Sequence, residues 1–304
     1  MENMKFLTVA AFLVTLAGVT SGFQQSSSRL HQPDTSLKSS IERTRLAPIA
    51  QHHIHQPAHV TALSVASTTS EKEDSVLDTE ALVKYAGAVG LQMLLFKGFF
   101  TGADVLTSTL DFEIPFAANF FFFYVFSLKS RVFNPMSNER PRRDTKEIQD
   151  EVQRKMPEWT PPGVVFPIVW ILIIGPLRAA SSALLVNGGA DYASTAVLTL
   201  MLHLSIGDTW NTINNVERRY GTSILGVACV WISAAFAAYS YGQVDPLAGK
   251  LLSIPLVWLT IASSLIVRTW QLNPSESTGE KESLLPTKPA SQEGSITKWT
   301  WFEG

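Results

Sequence analysis

The stretch that decides the fold is PEWTPPGVVFPIVW, residues 157–170, where a charged segment gives way to an apolar one. Proline lacks an amide hydrogen and has a fixed φ, so Pro161 and Pro162 are suited to the start of a helix. The following residues, 163–186, are apolar almost throughout, and Arg178 is their only charged residue. At about 1.5 Å per residue they can cross about 30 Å of hydrocarbon. The pattern predicts a membrane-spanning helix with a rigid, aromatic entrance.

Four further segments are long and apolar enough to cross a membrane, namely residues 114–132, 193–216, 222–241 and 247–267. They are expected to be helices, because lipid-exposed chains must satisfy their own backbone and none of these segments alternates as a barrel strand does. A sixth segment, residues 81–100, carries Lys84 and Lys97, and is predicted either to lie at the membrane interface or to span less securely. The predicted fold class is an all-α membrane protein, a bundle of five transmembrane helices with an extra N-terminal helix.

Lysine and arginine are unevenly distributed among the loops. The first loop is rich in both, the third carries Arg218 and Arg219, and Arg268 follows the last span. The second and fourth loops, residues 187–192 and 242–245, contain neither. Because positively charged loops stay on one side of a membrane, the first loop, the third loop and the C terminus are predicted to share one face.

The N-terminal residues have the composition of a targeting sequence. Residues 1–22 contain a lysine, an apolar run and then small residues, which predicts a signal peptide. Residues 23–75 are rich in Ser, Thr, Gln and His and carry scattered basic residues, which predicts a disordered transit peptide. Together they resemble the bipartite presequence of algae with secondary plastids, so we expect an integral protein of a plastid membrane. A secreted, disordered tail is the alternative.

The rest of the chain divides into three parts. Residues 76–113 are assigned to the extra helical segment and residues 114–268 to the membrane domain. Residues 269–304 are rich in Ser, Glu, Pro and Lys, which predicts a disordered tail. The net charge of −2 argues against a nucleic-acid partner, and the single cysteine, Cys229, excludes an intramolecular disulfide.

The third span is too polar to face lipid on all sides. At helical spacing His203, Trp210 and Asn214 share one face, and Asp208 and Asn211 share another. Ionisable groups inside a membrane are candidates for a functional site, although an interhelical hydrogen-bond network explains them equally well. Whether Arg178 pairs with Asp208, extends towards the membrane surface or binds an anionic ligand stays open.

Five such helices with this proline and tryptophan pattern resemble the TspO/MBR family, the tryptophan-rich sensory or translocator proteins, over residues 114–267. The residues that carry the resemblance are Trp159, Pro161, Pro162, Phe166, Val169, Trp170, Trp210, Trp258, Ala262 and the run DPLAGKLL at 245–252. Departures from the family pattern occur at Ile173, Ile174, Arg178, Asn214, Asn215, residues 253–255 and Ile266. A sterol-recognition pattern with a central tyrosine is absent, so the resemblance does not imply cholesterol transport.

The resemblance implies that the protein binds or translocates a tetrapyrrole, a porphyrin or haem, as ligand rather than as a resident cofactor. The candidate ligand-binding residues are Trp159, Pro161, Pro162, Phe166, Trp170, Arg178, His203, Asp208, Trp210, Asn211, Asn214, Trp258 and Ala262. His203 is expected to be a hydrogen-bonding group, with axial ligation of a metalloporphyrin as the alternative.

Two other interpretations remain open. The protein is either a membrane scaffold with a degenerate ligand pocket or, as in some relatives, an enzyme of light-dependent porphyrin breakdown. No nucleophile and base pair, metal cluster or phosphate loop is evident, which argues against hydrolytic catalysis. Small residues along residues 228–241 favour close packing within the bundle, with a homodimer as the second option.

Overall fold

The computed structural model describes residues 74–110, 113–139, 154–275 and 279–301. The predicted signal peptide and all but the last two residues of the predicted transit peptide lie outside these ranges. The described part is mostly helical, so the all-α membrane-type class is confirmed.

Six helical segments follow one another along the chain. They are α1 (Thr79–Leu110), α2 (Phe116–Lys129), α3 (Val165–Asn187), α4 (Thr195–Asn215), α5 (Tyr220–Val244) and α6 (Pro246–Leu272). A 3₁₀ turn, Ser130–Phe133, follows α2, and α6 is interrupted at Ile254 because Pro255 lacks the amide hydrogen needed to continue the helix. Two short strands, β1 (Ser75–Leu77) and β2 (Thr287–Pro289), pair antiparallel.

The number of predicted spans is not confirmed as five. Among the described residues, four helices are long and apolar enough to cross a membrane: α1, α3, α5 and α6. Helix α2 has 14 residues, and the polar side chains of α4 lower its hydropathy. The segment that was predicted to lie at the interface or to span less securely is therefore one of the four membrane-capable helices.

The helices pack into a ring. Helix α4 packs against α1 and α5, α5 against α6, α6 against α3, and α3 against α2. A cluster of phenylalanines closes the ring between α1 and α2, with Phe96 and Phe100 each about 5 Å from Phe126, centroid to centroid. The antiparallel approach of α5 and α6 depends on a glycine pair, since a Cβ at Gly249 would lie 2.4 Å from Cα of Gly242.

Helix α1 runs antiparallel to α4 along the whole length of that helix. Near one end the Tyr85 hydroxyl donates to Glu217, and in the middle Gln92 donates to Asp208 at 2.8 Å. At the other end the backbone amide of Tyr192 donates to Asp104 at 2.6 Å. The residue numbers rise along α1 while those of their partners fall along α4, so the two helices are antiparallel. Because the contacts extend from one end of α4 to the other, α1 passes through the bundle as far as α4 does.

The C-terminal tail is not disordered in its described part, contrary to the sequence-based expectation. Residues 279–301 return to α1, where Trp299 packs on Ala81, Tyr85 and Ala88 and its Nε1 donates to the carbonyl of Lys84 at 3.2 Å. The amide of Thr300 donates to Pro135 at 2.8 Å. Composition misled here because the tail has no core of its own and uses apolar surface supplied by α1.

A buried ionic cluster ties the tail to the loop between α4 and α5. Arg219 is 5% exposed and pairs with Asp78, which is fully buried and also accepts from Ser295 at 2.7 Å. Burial alone would raise the pKa of Asp78, but hydrogen bonds from Arg219 and Ser295 hold it below its ordinary value. Burial raises the pKa of Glu217, which lies beside Arg219. The first loop, the third loop and the tail therefore meet at one end of the bundle. That they share one face of the membrane stays a prediction.

Replacing Trp299 by alanine should destabilise the protein by about 2–3 kcal/mol, because it removes the aromatic contact with α1 and leaves a cavity. Thermal unfolding of the detergent-purified chain, followed by circular dichroism, measures the effect. Trp301→Ala is the matched control, since Trp301 is 45% exposed, and it should leave the unfolding temperature nearly unchanged. Equal unfolding temperatures for the two variants would contradict the docking of the tail.

Candidate functional site

The centre of α3 contains a widened turn. Residues Val169–Ile174 form a π-helical segment between α-helical Val165–Ile168 and Gly175–Asn187, and the Gly175 amide donates to the Trp170 carbonyl. In that register the next carbonyl, of Ile171, would be paired with the amide of residue 176, which is a proline and has no hydrogen. The sequence therefore leaves one carbonyl in the middle of a membrane helix without its helical donor.

Tyr124 of α2 supplies the missing donor. Its hydroxyl donates to the Ile171 carbonyl at 3.0 Å, so the carbonyl left without a helical donor is hydrogen-bonded by a neighbouring helix. Gly175 makes this approach possible, because a Cβ there would lie 2.9 Å from Cε2 of Tyr124. Tyr124 was not among the predicted site residues, although a proline inside a predicted span is a signal that such a donor is needed.

Trp170 lies in the widened turn and covers a buried arginine. The Cζ of Arg178 is 5.3 Å from the centroid of the Trp170 ring, within the range of a cation–π contact. Arg178 itself is 7% exposed, and its Nη2 donates to Nε2 of His203 at 2.6 Å. Helices α3 and α4 are therefore joined across the bundle by an arginine and a histidine.

The hydrogen bonds of His203 define its tautomer. Arginine can only donate, so Nε2 of His203 accepts and the ring proton resides on Nδ1. Nδ1 lies 3.2 Å from the Val230 carbonyl and 3.1 Å from the Ser233 hydroxyl, both on α5. Both ring nitrogens are engaged, so neither is free for the alternative role of axial ligand in this arrangement.

Aromatic rings gather beside the arginine and histidine pair. Trp170, Trp210 and Leu256 pack on a patch formed by Val230, Ala234 and Leu259. Trp210 Nε1 donates to the Ser223 carbonyl at 3.1 Å, which holds its ring between α4 and α5. One turn before Trp170, Phe166 meets Trp258 edge to face at 5.7 Å. We call these four rings, Phe166, Trp170, Trp210 and Trp258, the aromatic cluster.

The Trp258 indole has an unsatisfied donor. Its Nε1 is buried and has no hydrogen-bond partner in the described part of the chain. A buried N–H without an acceptor is costly, so this position suits a ligand that brings one.

Asp208 lies on the other side of α4. Its Oδ2 accepts from Gln92 at 2.8 Å and from Ser130 at 2.8 Å, in a network with Asn134 and Arg131. No ion pair between Asp208 and Arg178 is present among the described residues. The structure thus separates Asp208 from the aromatic cluster and assigns it to the packing of α1 and the first loop.

The remaining predicted site residues are dispersed. Trp159 is 51% exposed in the turn before α3, where Pro161 is half-buried and Pro162 is exposed, and Ala262 lies half-buried on α6. Asn214 accepts from Arg154 at 3.3 Å, and Asn211 accepts from Asn215 at 3.1 Å. Both asparagines therefore bond near the basic end of the bundle.

A cavity of about 540 Å³ lies elsewhere, between the outer faces of α5 and α6. Its lining includes Trp231, Thr260, Ser264 and Arg268, all of which are exposed, so it opens to the surroundings of the bundle. None of the predicted site residues lines it. We place the candidate site at the aromatic cluster because Trp170 lies against Arg178 and because the buried Nε1 of Trp258 has no acceptor among the described residues.

Comparison with known proteins agrees with this arrangement. A family model described as the TspO/MBR family matches residues 132–271. Protein CrtK of Rhodobacter capsulatus is 29% identical over 125 residues, covering 40% of this chain and 77% of the relative. The tryptophan-rich sensory protein of Cereibacter sphaeroides is 29% identical over 119 residues, covering 38% and 72%. Translocator protein 2 of Mus musculus is 26% identical over 140 residues, covering 45% and 80%. The family match includes the aromatic cluster and leaves out α1 and α2.

Tyr124→Phe should cost about 1–2 kcal/mol of stability, because it leaves the Ile171 carbonyl without a donor. In a Pro176→Ala background the cost should fall to nearly zero, since the amide of residue 176 can then serve that carbonyl. Unfolding of the four proteins of this double-mutant cycle in detergent measures the coupling. An equal cost of Tyr124→Phe in both backgrounds would show that the tyrosine does not compensate for the proline.

Proposed function

Because the chain belongs to the TspO/MBR family, we propose that this integral membrane protein binds a tetrapyrrole, or a related planar amphipathic molecule, and buffers or translocates it. The relatives are named for sensing and translocation. Both activities require that a ligand be held reversibly within the membrane domain. We place the protein in a plastid membrane, where tetrapyrroles are available, on the basis of the predicted presequence.

The observation that carries the proposal is the aromatic cluster. Its rings come from three helices, α3, α4 and α6, so it is formed only when the bundle is assembled. Planar, largely apolar molecules are held by aromatic faces, and a few polar groups at the edge fix their orientation. Arg178 beside Trp170 and the unsatisfied Nε1 of Trp258 are such edge groups.

The alternative is a scaffold with a degenerate pocket, and it assigns a different role to the polar groups of the same helices. In that case the polar groups would serve only packing, as Asp208, Gln92 and Ser130 do on the other side of α4. The buried Nε1 of Trp258, which has no acceptor among the described residues, supports the ligand, because a bound molecule can supply that acceptor.

Titration of the full chain in detergent with protoporphyrin IX should give saturable tryptophan quenching and a shift of the porphyrin absorption band. Trp170→Leu keeps apolar bulk but removes the aromatic face, so affinity should fall several-fold, about 1 kcal/mol. Trp231→Leu is the matched control, because Trp231 lies on the outer face of α5 and is hydrogen-bonded to Thr260. Trp231→Leu should bind protoporphyrin IX with the same affinity as the unmodified protein. Absence of a saturable signal would favour the scaffold.

The localisation is tested separately. Residues 1–75 fused to a fluorescent protein should direct it into the plastid of an alga with a secondary plastid. Deleting residues 1–22 should leave the fusion in the cytosol, because the predicted signal peptide is then missing. Secretion of the intact fusion would support the alternative of a secreted chain.

A further inference from the structure

We infer that the ligand of the aromatic cluster carries a carboxylate, and that Arg178 binds this carboxylate as its counter-ion. The inference rests on the proposed function and adds to it the chemical class of the ligand. It makes Arg178 the specificity-determining residue of the site.

The first reason is that Arg178 has donors without acceptors. A guanidinium has five N–H donors, and Arg178 makes one hydrogen bond, to His203, within the described ranges. The side chain lies in the middle of α3, a membrane-capable helix, and is 7% exposed, so a molecule bound in the bundle can reach the remaining donors. The unused donors suit a group with several acceptor oxygens.

The second reason is that the charge of Arg178 is not neutralised locally. Across the described ranges, no acidic side chain lies within ion-pair distance of Arg178. Asp208 acts on it only through longer-range attraction, since both its Gln92 and Ser130 contacts lie on the far side of α4. His203 accepts a hydrogen bond but has no negative charge to offer. An uncompensated charge in such surroundings is costly, and an anionic ligand removes that cost.

The third reason is that the arginine is held in place. Trp170 covers one side of the guanidinium, and His203 is in turn fixed by Val230 and Ser233 of α5. A positioned guanidinium binds a carboxylate with little further loss of side-chain entropy. The same Trp170 ring belongs to the aromatic cluster, so a ligand whose apolar face packs on that cluster brings its edge towards Arg178.

These features define a planar apolar molecule with an acidic edge. Porphyrins with propionate side chains have this form, and their methyl esters keep the ring while removing the charge. Comparison of the free acid with the ester therefore tests the carboxylate separately from the ring.

The experiment is a titration of the full chain in detergent at neutral pH with protoporphyrin IX and with its dimethyl ester. The free acid should bind about 10- to 100-fold more tightly than the ester, as charge-assisted hydrogen bonds to a buried arginine require. In Arg178→Met the two affinities should become equal, chiefly through weaker binding of the acid. Arg268→Met removes the same charge from the outer face of α6 and should keep the preference for the acid.

The outcomes separate the inference from the function on which it rests. Equal binding of acid and ester by the unmodified protein overturns the role of Arg178 while the proposed function stands. Binding of neither porphyrin overturns both. If Arg178→Met does not fold, Arg178→Gln, which keeps polar hydrogen-bonding atoms but removes the charge, takes its place, and loss of the preference for the acid is expected there too. A preference for the acid that persists in folded Arg178→Met would assign the carboxylate to another residue and refute the inference.

Discussion

Lipid offers no hydrogen-bond partner, and the rest of this structure depends on that constraint. Pro176 removes a backbone donor from the middle of α3, and the Ile171 carbonyl is satisfied only because Tyr124 reaches it from α2. The resulting π-helical turn holds Trp170 over the Arg178 guanidinium. A single backbone group that could not be left unpaired thus links the packing of α2 on α3 to the geometry of the candidate site.

The same constraint divides α4 into two functional faces. On one face the Asp208 carboxylate accepts hydrogen bonds from Gln92 and Ser130, and these bonds hold α1 and the first loop against α4. On the other face His203 connects α3 to α5 through Arg178 and Ser233. In the first network the hydrogen bonds of Asp208 come from residues of the protein. In the second, Arg178 has donors that no described residue accepts. This difference distinguishes the structural role of the first network from the binding role that we propose for the second.

The parts of the chain outside the family match support the bundle from one side. Helix α1 lies along α4, the phenylalanines of α1 and α2 pack together, and Trp299 of the tail fills a groove beside Gly87. The buried pair of Asp78 and Arg219 fastens the tail to the loop after α4. Since breaking a buried ion pair leaves an uncompensated charge, these contacts make the added segments part of the folded domain.

The amino-acid sequence by itself determined the membrane class, the positions of most helices and the resemblance to the TspO/MBR family, but not the number of spans. Hydrophobic length and local proline and tryptophan patterns are properties of short stretches of chain. It also determined that Arg178 and His203 are unusual, since ionisable groups inside spans are rare. Only the tertiary structure decided which polar groups meet: Arg178 faces His203 rather than Asp208, Tyr124 serves Ile171, and the tail docks on α1. These contacts join residues far apart in sequence, and they depend on the relative rotation and depth of helices. The rotation and depth of each helix are set by its packing against all the other helices, and a local sequence pattern does not contain that information.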